Sequence, residues 1–168
     1  MSFVLRFTRR FSMAHRFTSG ASPTCATPHG HNEDVTVELV AKSPVALDQR
    51  QNMVAEFGAV KKRWHRFIDR RVDHALQLSE HDPFLAIARE HFPEWRLVVT
   101  PGDPTTELMA TLLMAKCQAF LDDEELPLRC RRVLLEETPT NAVAFEGHWR
   151  EVLDRDGWWS RADNTTSD

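Results

Sequence analysis

The sequence predicts an α+β fold whose main elements run strand, strand, helix, helix, strand, strand. Three observations predict it. Two-residue alternation of apolar and polar residues runs through positions 3–17 and returns from about 31 to 39. Two apolar stripes of helical period follow, at 57–71 and 105–120. Alternation then reappears at 129–137, before a last strand-like run at 142–149. A chain of 168 residues can bury one core without disulfides, so a single domain is expected over 1–149 with a tail at 150–168.

In the first strand Phe3, Leu5, Phe7, Phe11, Met13 and Phe17 hold odd positions, while Arg6, Thr8, Arg10, Ser12 and Arg16 hold even ones. His15 therefore belongs to the apolar face. Residues 18–28 are turn-forming and predict a loop. The second strand carries Val35, Val37 and Leu39 on the face that also holds His31 and Glu33, and two strands joined by one loop predict an antiparallel hairpin. After a connection at 42–52, Phe57, Val60, Trp64, Phe67 and Ile68 mark an amphipathic helix ending near Arg71. A shorter helical piece is expected at 83–91, opened by Pro83, and residues 96–100 read as a short strand or an extended connection. Met109, Leu112, Leu113, Cys117 and Phe120 form the stripe of the second main helix. The tail holds Trp158 and Trp159 but ends Asn-Thr-Thr-Ser-Asp, the composition of a disordered end.

The formal net charge of −4 lacks the footprint of a nucleic-acid binder. No apolar run reaches the roughly 18 residues of a membrane span, and no signal region opens the chain. Three irregularly spaced cysteines suit a reducing compartment, so a cytoplasmic protein is expected.

The chemistry concentrates in Cys25-Ala26-Thr27-Pro28-His29-Gly30-His31. In an extended segment the two imidazoles share a face roughly 6.7 Å apart, close enough to converge on one metal ion. With 8 histidines His-x-His arises by chance roughly 0.4 times, so spacing alone decides nothing. Topology adds the third member: the hairpin brings His15, at the end of the first strand, to His29 and His31 at the start of the second. Three imidazoles leave one position open on zinc, as in catalytic sites; the alternative is that these are hydrogen-bonded core histidines. Cys25 could be a fourth ligand or a thiolate near the substrate. Asp73-His74 offers a carboxylate that orients an imidazole for acid/base work, although a bare dipeptide carries little information. Glu137 shares the face of Val133 and Leu135, where an unpaired carboxylate is costly. Either a ligand with two parallel N–H donors or an internal arginine would pair it.

Together His15, the Cys25-to-His31 box, Phe57-Gly58, Asp73-His74, Pro104-Thr105-Thr106-Glu107 and Glu137-Thr138 resemble the 6-pyruvoyltetrahydropterin synthase and 6-carboxytetrahydropterin synthase family. The resemblance spans residues 3 to about 148. It implies the tunnelling fold, a four-stranded antiparallel sheet with two helices packed on one face. Trimers would close a barrel, and two trimers would stack into a homohexamer with sites between subunits. By position, His15, His29 and His31 would bind Zn2+; Cys25 would be the general base; Asp73 and His74 would complete a proton relay. Glu137, assisted by Thr105 and Thr106, would anchor the pterin. The activity implied is a zinc-dependent lyase acting on 7,8-dihydroneopterin triphosphate. The compact box and Leu108 look like the branch forming 6-carboxytetrahydropterin for queuosine-type deazapurines. The alternatives are 6-pyruvoyltetrahydropterin synthesis, a folate-pathway paralogue cleaving the side chain, and a non-catalytic zinc- or pterin-binding oligomer. Glu56, Leu108 and Glu33 depart from the family pattern, Glu33 standing where an aromatic is common.

Overall fold

The computed structural model describes residues 3–20 and 23–168. In chain order its elements are β1 (Val4–His15), α1 (Pro23–Ala26), β2 (His29–Ala41), α2 (Phe57–Phe67), a π-helical turn (Ile68–Val72), β3 (Ala75–Ser79), α3 (Pro83–His91), β4 (Leu97–Thr100), α4 (Thr106–Asp123), β5 (Leu128–Thr138) and β6 (Asn141–Glu146). Two 3-10 turns follow, Trp149–Glu151 and Trp158–Ser160. The loop expected at 18–28 includes residues 21 and 22, which lie outside the described residues, and contains the single turn of α1.

The expected four-stranded antiparallel sheet is corrected to a mixed sheet of six strands, ordered β4-β3-β1-β2-β5-β6. Its antiparallel part, β1-β2-β5-β6, is the set of four expected strands, the last ending at Glu146 rather than at Trp149; β3 and β4 add in parallel on the β1 side. These two strands have 5 and 4 residues, and Gln77, Ser79 and Thr100 within them are buried, so no apolar alternation announces them. They are joined through α3, as parallel neighbours require a crossover. Asp82 caps α3 by accepting from the Phe84 amide at 2.8 Å, and Pro83 sits in the first turn.

β1 pairs with β2 over its whole length, from Val4 opposite Val40 to His15 opposite His29. Leu5, Phe7, Phe11 and Met13 join Val35, Val37, Leu39, Val133 and Leu135 in one core with Trp64 and Phe67 of α2 and the apolar residues of α4. Each such fully buried side chain stabilises the fold by about 1.5–3 kcal/mol. The opposite face of the hairpin stays polar: Thr8 bonds Thr36 across the ladder at 2.7 Å, and Glu38 pairs with Arg6.

The disordered end expected at the C-terminus is also corrected. Trp158 and Trp159 are buried, and the Trp158 indole donates to the Val99 carbonyl at 2.7 Å. The Val99 amide donates to the Thr166 carbonyl at 2.8 Å, and the Thr166 hydroxyl to the Leu97 carbonyl at 2.8 Å. The tail thus occupies the outer edge of β4. It also wraps α4, where the fully buried Lys116 ammonium donates to the carbonyls of Arg161 and Asp163 at 2.8 and 2.9 Å. This is why α4 is buried on more than its apolar stripe. No helix among the described residues is long and apolar enough to cross a membrane.

Candidate active site

The end of β1 and the start of β2 meet as the hairpin argument requires. His15 lies opposite His29 and Met13 opposite His31, with Gly30 between them opposite Ala14. A Cβ on Gly30 would sit 2.7 Å from the Met13 carbonyl oxygen, so only glycine lets the strands close here. One ring nitrogen from each of the three imidazoles lies within 4.8 Å of those of the other two, so the three could hold one metal ion. Ring centroids are 4.6, 5.2 and 5.1 Å apart, with planes inclined by 65–88°.

Hydrogen bonds fix two of the tautomers. His15 Nδ1 is 3.1 Å from the Pro104 carbonyl and His29 Nδ1 is 2.8 Å from the Thr27 carbonyl. A carbonyl only accepts, so both Nδ1 atoms carry hydrogen, and each ring in its neutral form has its lone pair on Nε2. The two Nε2 atoms face each other at 3.1 Å. Two acceptors at that distance repel unless a cation or a proton lies between them. Burial, then the charges of His29 and His31, pushes His15 down to about 4, which keeps it in the neutral form that ligates metals. The carbonyl-anchored Nδ1–H groups are the usual outer support of metal-bound histidines. The donor set therefore fits zinc with one position left open.

Beside the imidazoles stand two carboxyl groups. Glu137, half-buried near the end of β5, accepts from the Thr106 hydroxyl at 2.9 Å. No arginine or lysine pairs with it among the described residues. A register shift in the β5–β6 pairing between Glu136 and Thr138 falls at Glu137 and locally bends this end of the strand. Thr105 caps α4, its hydroxyl accepting from the Leu108 amide at 3.3 Å. Glu33 is buried on β2, and its carboxyl is pushed up to about 8 by burial and by the charge of Glu137.

Cys25 is half-buried on α1, and its carbonyl accepts from the Phe17 amide at 2.9 Å, holding α1 against the chain that leaves β1. Asp73 and His74 stand on the edge of β1, beside Ser12. The π-helical turn delivers Asp73, whose amide donates to the Ile68 carbonyl at 2.8 Å, and His74 takes a left-handed backbone with φ of 58°. Asp73 accepts from the Ser12 amide at 2.8 Å and from His74 Nδ1 at 2.7 Å. The carboxyl is held below the usual range: burial opposes this, and the Ser12 amide and His74 outweigh it. The cleft beside the pair is lined by Asp69, Leu76, Glu94, Trp95 and Arg96, and by none of the three imidazoles.

The model of the family described as 6-pyruvoyl tetrahydropterin synthase matches residues 4–148. The chain belongs to this family. The synthase-family match takes in every candidate site residue and ends before the tail. Among curated relatives, the 6-carboxy-5,6,7,8-tetrahydropterin synthase of Bacillus subtilis is 29% identical over 144 residues, covering 86% of this chain and 85% of its own. The protein of the same name from Rickettsia felis is 29% identical over 112 residues, 66% of this chain and 78% of its own. Two solved structures share the fold. An uncharacterised protein from Wolinella succinogenes has a TM-score of 0.69 at 20% identity, covering 88% of this chain and 99% of its own. The 6-pyruvoyl tetrahydropterin synthase of Caenorhabditis elegans has a TM-score of 0.58 at 22% identity, covering 88% and 96%.

Within this synthase-family chain the structure brings together His15, His29, His31, Glu137 and Thr106 at one end of the sheet. Thr105 contributes as a helix cap, and Asp73-His74 lines a cleft that includes none of the three imidazoles. Sequence reasoning did not assign the carbonyls of Pro104 and Thr27, since backbone acceptors leave no mark on residue type. It met Glu33 only as a departure from a pattern, although alternation already put it on the His31 face.

Proposed function

We propose that the chain is a zinc-dependent lyase converting 7,8-dihydroneopterin triphosphate to 6-carboxy-5,6,7,8-tetrahydropterin, in deazapurine synthesis of the queuosine type. The observation that carries the reading is the pair of Nε2 lone pairs facing each other at 3.1 Å, with both tautomers held by carbonyls. His15, His29 and His31 would hold the zinc. Bound there, the metal supplies Lewis acidity that lowers the pKa of the substrate's side-chain hydroxyls.

The chain's own groups do the rest. Glu137 accepts two parallel N–H bonds from the amino and ring N–H edge of the pterin, and the Thr106 hydroxyl holds one of its oxygens in place. Cys25 Sγ takes a proton from the substrate side chain. His74 donates its Nδ1–H to Asp73, which leaves Nε2 to receive or return a proton during triphosphate loss and side-chain cleavage. The cleft lined by Asp73-His74 includes none of the three imidazoles, as a site that a neighbouring copy completes with this pair would require. A homohexamer, as a dimer of trimers, is the assembly expected. The name carried by the curated relatives favours the carboxy product, and that of the Caenorhabditis elegans structure is the reason to assay for the pyruvoyl product as well.

Incubating the zinc-loaded protein with 7,8-dihydroneopterin triphosphate and weighing the products by mass spectrometry tests the reading. 6-Carboxytetrahydropterin is expected; no conversion by zinc-loaded protein overturns it. Sedimentation as a stable monomer at micromolar concentration overturns the shared site.

A further inference from the structure

The site contains a carboxyl group to which the proposed reaction gives no task. Glu33 is 2% exposed, and its Oε2 is buried with no hydrogen-bond partner. The ladder sets its surroundings. His31, Glu33 and Val35 succeed one another on the same side of β2, and Phe11 is the partner of Glu33 on β1. The pairing of Asp34 with Glu136 brings Glu137 to the neighbouring place on β5. Glu33 thus stands between a phenyl ring and the carboxyl assigned to the pterin edge, one strand step inward from His31. Among the described residues no cation pairs with it. As a packing residue it makes little sense, because a leucine would fill the same place without burying an unpaired oxygen. An unpaired acceptor kept at the floor of a ligand site is accounted for by a donor that arrives with the ligand.

The ligand chemistry of the preceding section provides one. A carboxylate grips two parallel N–H bonds, and Glu137 uses that capacity on one ring N–H and one hydrogen of the exocyclic amino group. The amino group's other hydrogen still needs an acceptor. We propose that Glu33 is a second recognition carboxyl, accepting the remaining N–H of the 2-amino group, so that the site selects 2-amino-4-oxo rings over rings with an oxo group at that position. The inference rests on the pterin reading and adds to it the residue that sets ring specificity. Replacing the amino group by oxo removes the N–H groups from which both carboxyls accept and turns an acceptor toward the Glu137 carboxylate. Sites built to pair a polar group discriminate strongly against analogues that leave it unpaired.

Calorimetry on the full-length zinc-loaded protein tests it, with pterin and pteridine-2,4-dione as probes, on wild type, Glu33→Leu and Glu33→Gln. Wild type is expected to favour pterin about 100-fold or more. Glu33→Leu should lose about tenfold or more in pterin affinity and narrow that preference, with its zinc content unchanged. Glu33→Gln retains a carbonyl acceptor and should recover most of the loss. Without ligand, Glu33→Leu should melt about 2 °C or more above wild type, because an unpaired buried oxygen is gone. Equal affinity and preference in all three proteins overturns the inference and leaves the pterin reading standing. A Glu33→Leu protein that melts lower or loses zinc also overturns it, since Glu33 would then be structural. Wild type that binds neither probe removes the pterin reading first and this inference with it.

Discussion

Trp158→Ala should unfold the protein far more easily than any substitution in a loose tail could. Trp158 is wholly buried, 6.2 Å from the Phe67 ring and 5.9 Å from the Trp159 ring, centroid to centroid. The Lys116 ammonium lies 5.5 Å from its ring centroid. Removing a buried tryptophan costs about 3–5 kcal/mol through lost transfer energy and the cavity left behind. Its indole N–H is also the donor to the Val99 carbonyl, and leaving that group unpaired adds about 1 kcal/mol. The expected loss is about 4–6 kcal/mol against a typical total of 5–15 kcal/mol, enough to undock the tail and uncover β4. Trp158→Phe keeps most of the ring and should cost about 1–2 kcal/mol, chiefly for the lost donor. Urea unfolding measures both, at one fixed protein concentration because any assembly would stabilise the folded chain. A Trp158→Ala midpoint corresponding to less than about 1 kcal/mol would refute the reasoning, since tail packing would then contribute nothing beyond a surface contact.

Replacing His29 or His31 by alanine should strip the zinc from a chain that stays folded, because the hydrophobic core is built without them; full metal content in both variants refutes the ligand set. Cys25→Ala should keep zinc and pterin affinity while turnover falls about a hundredfold or more, the scale of a positioned acid or base. Glu137→Ala should instead lose about 30-fold to several thousand-fold in pterin affinity, and calorimetry beside a turnover assay separates the two defects. Desolvation drives Lys116 down to about 8 from 10.5, although Asp163 opposes the shift. Between those two pH values the unfolded chain binds more protons, so stability should rise with pH there relative to Lys116→Met. Melting temperatures of both proteins across that range check the sign, and parallel curves refute it.

The readable part of this molecule is the part governed by local period. Alternation assigns His15, His31 and Glu137 to faces, and a single loop between two strands forces their ends together, so the imidazole cluster follows from residue order alone. What escaped depends on partners far away in sequence. Lys116 looks like a solvated residue beside the stripe of α4 until the carbonyls of Arg161 and Asp163 cover it. The tail's own composition is polar, and only its docking against β4 makes Trp158 a core residue. β3 is too short, and too rich in buried polar residues, for period to show, while β4 falls within 96–100, already read as a short strand or extended connection.

The same docking bears on assembly. An open strand edge invites another chain, and the tail removes that invitation at β4. β3 covers β1 only at Met13, Ala14 and His15, while the Ser12 amide and carbonyl are taken by Asp73 and His74. Among the described residues, the edges left for pairing are that of β6 and that of β1 before Ser12. A neighbour's β6 laid along β1 would run up to Asp73-His74, and β6 begins three residues after Thr138, beside Glu137. Edge pairing of this kind would bring Asp73-His74 of one copy towards Glu137 of the next. Complementation measures it. Cys25→Ala and His74→Ala are each expected to be inactive, yet oligomers assembled from an equal mixture should regain about a quarter of wild-type sites if each site draws one residue from each of two copies. Mixed oligomers with no recovered turnover would mean that Cys25 and His74 serve the same chain, and the composite site would have to be abandoned.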